Sequence, residues 1–173
     1  IITYVLNGQL THADSLDNQR VLTRGQGQYL SAGTGVTHSE HHRGGELLRL
    51  LQIWILPDRQ GHTPSYGDVL FPWEDRENKW LHMVSGTTAP DSAALIRIHA
   101  DMNIYALGLT DGKTEAFDVG PGRQAYLVLV EGEAAVAGHR LTARDALEIT
   151  EESITITSKQ DAHVLLLEMA KAP

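Results

Sequence analysis

The chain of 173 residues contains no cysteine, and this one absence removes disulfides, thiolate zinc sites and cysteine nucleophiles together. Any metal must therefore be held by nitrogen and oxygen donors. Long hydrophobic runs are missing too: stretches such as Leu127 to Val130 and Val164 to Leu167 fall far short of the roughly 20 residues that a membrane helix needs. Basic charge is scarce, with 14 Lys and Arg against 22 Asp and Glu, and the resulting −8 is spread along the whole chain. That balance offers no basic stripe to a nucleic-acid backbone or an anionic membrane, so small-molecule or protein partners are expected. No signal peptide is visible, and the protein reads as soluble and cytoplasmic.

The length suits one domain or two small ones, enough to withdraw ~70% of the unfolded surface from water. The chain opens inside an apolar β-branched run, "IITYVL", with no turn residues before it. It reads as a strand already under way, and implies that an upstream part of the natural domain is missing.

Helical periodicity is scarce, while short alternating or β-branched runs bounded by Gly, Asn or Asp recur throughout. They are expected at Ile1 to Leu6, Gln9 to Ala13, Gln28 to Leu30, Leu47 to Leu56, Leu95 to His99, Met102 to Leu109, Ala125 to Val130, Ala134 to Ala137, Ala146 to Ile149, Ser153 to Thr157 and His163 to Met169. This is an all-β pattern, a sandwich or barrel. Asn7-Gly8 predicts a two-residue hairpin turn, because both residues tolerate positive φ. Aligning Gly8 with Gly132 superposes "ITYVLNGQL" on "AYLVLVEGEAAV", which predicts two similar β-barrels. The Pro-, Gly- and charge-rich stretch "LPDRQGHTPSYGDVLFPWEDRENKW" reads as the connection between them.

One cluster carries chemistry. After Gly27, glycines at 33 and 35 lead to His38, and a tight turn at Gly33-Thr34-Gly35 would send the next strand inward with His38 and Glu40 on one face. A histidine and a glutamate two apart on a strand more commonly mark a solvated face. The glycine spacing favours a metal instead, with iron, copper, manganese, nickel and zinc all compatible, although three or four protein ligands are usual. His12, His41 and His42 are the available substitutes, His42 sharing the parity of His38 and Glu40. His62, His82, His99, His139 and His163 read as surface or structural residues. Trp54 is expected in the core, Trp73 and Trp80 between the units, and Gln52 and Tyr66 near a ligand.

The glycine spacing resembles the second motif of the cupin superfamily, with Gly33 replacing its usual proline. More narrowly, "ITYVLNGQLTHADSLDN", "LSAGTGVTHSE", "LLQIWILPDRQGHTPSY" and "IRIHADMNIY" resemble successive stretches of the pirin family, especially the bacterial members named quercetin 2,3-dioxygenases. The resemblance implies two tandem cupin barrels, the first incomplete in this chain. It places the remainder of an N-terminal metal-binding barrel at residues 1–72, a linker at 73–84 and a metal-free C-terminal barrel at 85–173. It implies one divalent transition metal, iron foremost, bound by three histidines and a glutamate. His38 matches the third histidine and Glu40 the glutamate, the other two histidines falling before Ile1.

The implied activity is flavonol ring cleavage with dioxygen and release of carbon monoxide, with Glu40 as both metal ligand and base. The alternatives are a non-enzymatic, metal-dependent redox-sensing module for a protein partner, or an inactive fragment lacking half the metal site. A monomer or weak homodimer is expected.

Overall fold

The computed structural model describes residues 1–89 and 92–171, which are built from strands, with one 3-10 turn at Trp73–Asp75 as the helical piece among them. Among the described residues no helix is long and apolar enough to cross a membrane. The chain divides into two compact units, one of Ile1–Pro72 with Ile98–Ala100, the other of Trp73–Arg97 with Asp101–Pro173.

The first unit contains β1 (Ile2–Asn7), β2 (Leu10–Asp14), β3 (Gln19–Leu22), β4 (Gln26–Ser31), β5 (His38–His42), β6 (Arg49–Ile53) and β7 (Ser65–Leu70). They form a four-stranded sheet in the order β6-β1-β4-β7 and a three-stranded sheet in the order β3-β2-β5. Val5 of the first sheet meets Leu10 and Leu22 of the second in a buried cluster, with Leu48 and Leu50 packed against it. Burial of these alternate side chains holds the two sheets face to face.

Asn7-Gly8 does not make the expected hairpin. β1 pairs with β4 and β6, whereas β2 pairs with β3 and β5, so the dipeptide is a corner where the chain leaves one sheet for the other. Gly8 has φ +74, and a Cβ there would lie 2.7 Å from the Leu47 carbonyl oxygen. Backbone freedom is required at this position, as expected, but the pairing around it is set by distant strands. β7 lies inside the stretch expected as connection and pairs along its length with β4.

The second unit contains β8 (Leu81–Ser85), β9 (Ile96–Arg97), β10 (Met102–Leu109), β11 (Thr114–Asp118), β12 (Arg123–Val136), β13 (His139–Thr142), β14 (Ala146–Thr150) and β15 (Ser153–Ala170). Its spine is the antiparallel pair β12 and β15, whose register shifts around Glu131 and Glu133. Gly132, matched with Gly8 as a turn, lies inside continuous β12 at φ +88, where a Cβ would approach the Asp161 carbonyl oxygen to 2.1 Å. The strand bends there without reversing, as a bulge allows.

Leu107, Leu127, Leu129, Ile154, Ile156, Val164 and Leu166 fill the second interior with apolar side chains. Residues 73–84, expected as a linker, carry the 3-10 turn and the start of β8 and cluster with this unit. Trp73 and Trp80, expected between the units, both pack within the second, Trp73 on His163 and Trp80 on Tyr105 and Phe117.

Candidate functional site

The polar site of the first unit starts where its apolar core stops. Two residues along the strands from Val5, Leu10 and Leu50 come Thr3, His12 and Gln52, which share their faces because side chains alternate along a strand. β5 is brought alongside by the turn before it. Gly33 has φ +53, and a Cβ there would fall 2.0 Å from the His62 carbonyl oxygen, so no other residue fits without moving the backbone. β5 then pairs with β2, setting Glu40 opposite His12 and His38 opposite Asp14.

Two amides hold Glu40. Gln28 Nε2 donates to its Oε1 at 2.5 Å and Gln52 Nε2 to its Oε2 at 2.8 Å. The orientation of both amides follows from their other partners. The Trp54 indole, which only donates, gives its N–H to Gln52 Oε1 at 3.1 Å, and the Tyr66 hydroxyl donates to Gln28 Oε1 at 3.0 Å. Each amide is left to present its N–H groups to the carboxylate. Burial, then the charge of Asp68, push the Tyr66 hydroxyl's pKa up, so it remains a donor through the neutral range.

His12 is fully buried. Its Nε2 lies 2.9 Å from Asp14 Oδ2, and its ring stacks on Tyr66 at 4.3 Å and on His38 at 5.9 Å between centroids. Nδ1 faces Glu40 Oε1 at 4.0 Å and makes no hydrogen bond. Burial alone would raise Asp14, but hydrogen bonds from His12, Asn18 and Leu16 outweigh it and bring its carboxyl down to about 2. Asp14 is therefore an anion near neutral pH, the acceptor that fixes an N–H on His12 Nε2.

The structure thus brings His38 and Glu40 onto one strand beside His12. His41 and His42 are exposed, His42 reaching Gln9 O at 3.4 Å. Among the described residues no three His, Asp or Glu side chains stand close enough to hold one metal ion. Trp54, expected in the core, is 74% exposed just past the end of edge strand β6, where no further strand of the described residues covers it. Gln28 and Asp14 were missed by sequence reasoning. The available signal was their parity, since each falls an even number of residues from a core or site position on its own strand. His62, read as surface or structural, is buried and structural, bound to Asp58 at 2.7 Å and stacked on His99 at 3.9 Å. His163 is buried as well.

Residues 1–55 match the family model described as Pirin, and residues 88–169 match that of the quercetinase C-terminal cupin domain. A pirin-like protein of Caulobacter vibrioides is 39% identical over 171 residues, covering 98% of this chain and 73% of that protein. The chain belongs to the pirin family.

A second pirin relative is named quercetin 2,3-dioxygenase in Escherichia coli K12, with 33% identity over 98% of this chain and 71% of its own length. Among solved structures, the pirin YhhW of Escherichia coli superposes with a TM-score of 0.88 at 31% identity, over 99% of this chain and 71% of that one. A structure of the same bacterial pirin in complex with nickel(II) gives 0.87 at 32% identity, over 99% and 72%. Pirins are bicupins, so the two units are the cupin barrels of this fold, the first being short in this chain.

Proposed function

We propose that this pirin is a metal-dependent oxygenase that opens the ring of flavonols such as quercetin with dioxygen and releases carbon monoxide, His38 and Glu40 being two of its metal ligands. The observation that carries the proposal is the Glu40 carboxylate, held through both oxygens by Gln28 and Gln52 beside the imidazoles of His12 and His38. Relatives named quercetin 2,3-dioxygenase and a pirin solved with nickel(II) support it.

The donor chemistry fits a divalent transition metal, since one imidazole and one carboxylate match the nitrogen and oxygen set such ions take. The buried Nδ1 of His12 faces Glu40 Oε1 at 4.0 Å and makes no hydrogen bond, an orphaned polar atom beside that pair. When bound, the ion supplies positive charge that favours the substrate's deprotonated 3-hydroxyl. Glu40 takes the 3-hydroxyl proton, because a carboxylate beside the bound substrate is the base within reach. Gln28 and Gln52 keep that carboxylate pointed inward, while Tyr66 and Trp54 keep the amides from turning over. Val5, Leu10 and Leu22 form a buried apolar cluster, Val5 and Leu10 lying two residues along their own strands from Thr3 and His12.

Iron is the first metal to test and nickel the second. Purified protein loaded with either ion should consume oxygen and release carbon monoxide when given quercetin, and Glu40→Gln should abolish both. Oxygen uptake equal in the Glu40→Gln form ends the base role. A metal-loaded wild type that consumes no oxygen ends the oxygenase reading and favours a binding module.

A further inference from the structure

The second unit contains a hydrogen-bonded relay outside the site described above. Arg123 donates to both oxygens of Glu168, from Nε to Oε1 and from an Nη to Oε2 at 3.0 Å, and to Asp101 at 2.7 Å. Asn103 Nδ2 donates to Glu168 Oε2 at 2.9 Å, so its Oδ1 must be the acceptor. The backbone N–H of Gly86, which can only donate, reaches that Oδ1 at 3.0 Å and fixes the orientation independently. His82 Nε2 lies 3.2 Å from the same oxygen and must therefore carry its proton there. That leaves His82 Nδ1 bare, and Ser92 Oγ sits 2.7 Å from it as the donor, itself accepting the backbone N–H of Ala94 at 3.0 Å.

We propose that Ser92 is a nucleophile, with His82 as its base and Asn103 and Glu168 as the groups that orient that base, and that it takes the acyl group of a carboxylic ester. The direction of every bond in the chain follows from its neighbours, and each points the way that proton removal from Ser92 requires. A serine that only pins its loop is served by any acceptor. This one meets an imidazole whose other nitrogen is locked through an amide to a partly buried, arginine-held carboxylate, and whose face is stacked on Tyr105 at 4.4 Å. Burial lowers the His82 pKa against the opposing pull of the Asn103 bond, so the ring is a neutral acceptor near neutral pH.

In the step itself Ser92 Oγ bonds to the ester carbonyl carbon as its proton passes to His82 Nδ1. The carbon–alkoxide bond then breaks and the leaving alcohol takes that proton. Water attacks the acyl-serine through the same nitrogen, releasing the acid and restoring the Ser92 hydroxyl.

The test uses the intact chain and a fluorophosphonate, which loses fluoride as its phosphorus bonds to an activated serine. One label per chain, mapped to Ser92 by mass spectrometry, is expected. Labelling should vanish in Ser92→Ala and slow roughly a hundredfold or more in His82→Phe, which keeps a ring against Tyr105 but has no base. p-Nitrophenyl acetate hydrolysis should follow the same order, while quercetin-dependent oxygen uptake stays unchanged in Ser92→Ala. Wild-type protein that takes no label at Ser92 overturns the proposal, as does an equal labelling rate in a folded His82→Phe variant. Loss of thermal stability in Ser92→Ala together with an unlabelled wild type assigns the serine to loop anchoring.

Discussion

Replacing Asp14 by Asn tests how much of the first unit depends on one buried anion. Four donors converge on this carboxylate: His12 Nε2 at 2.9 Å, the backbone N–H groups of Leu16 and Asn18 at 2.9 and 3.1 Å, and Asn18 Nδ2 at 3.0 Å. The isosteric amide keeps one acceptor but loses the charge and turns an NH2 group toward donors. A hydrogen bond to a charged group is worth roughly 1.5–3 kcal/mol, and the three turn contacts near solvent count for less, so we expect a total loss of about 3 kcal/mol.

The pH dependence carries its own sign. The folded carboxyl sits at about 2 against an ordinary 3.8, so its stabilisation is complete above about pH 4 and disappears as pH falls through about 2. Urea unfolding of wild type and Asp14→Asn should therefore differ most at neutral pH and converge between pH 4 and 2. Other carboxylates titrate in both proteins and cancel in the difference. A gap under about 0.5 kcal/mol at pH 7, or two curves that stay parallel down to pH 2, would refute the reasoning.

Three further outcomes are expected. Gln52→Leu removes one of the two amides on Glu40 and should weaken nickel(II) binding about tenfold in a calorimetric titration, the usual effect of losing a group that orients a ligand. Gly132→Ala forces a side chain onto the Asp161 carbonyl at positive φ and should cost the second unit roughly 3 kcal/mol in urea unfolding; a cost below 1 kcal/mol would mean the β12 bend relaxes easily. Trp54→Phe, at an exposed position, should leave thermal stability within about 0.5 kcal/mol of wild type, while freeing the Gln52 amide to turn should reduce nickel(II) affinity.

Much of the fold was legible in the sequence. Alternation and the scarcity of helical period led to an all-β chain, and the glycines before His38 led to a strand carrying His38 and Glu40 on one face, since period-2 alternation is a local property. The positive φ of Gly8 and Gly132 was legible for the same reason. Which strands flank them was not, because a dipeptide's dihedral preference does not name the partner that hydrogen-bonds to either side. Asn7-Gly8 therefore became a corner between sheets, and Glu131-Gly132 a bend within one strand.

Trp54 misled because hydrophobicity marks a residue fit for a core, whereas its exposed place just past an edge strand is decided by which neighbours pair with β6. The Gln28 and Gln52 amides on Glu40, the buried His12–Asp14 pair and the relay from Glu168 to Ser92 each join residues from different strands or loops. Their contacts exist only once the sheets have closed, so sequence supplied the donors and acceptors while tertiary structure chose who meets whom.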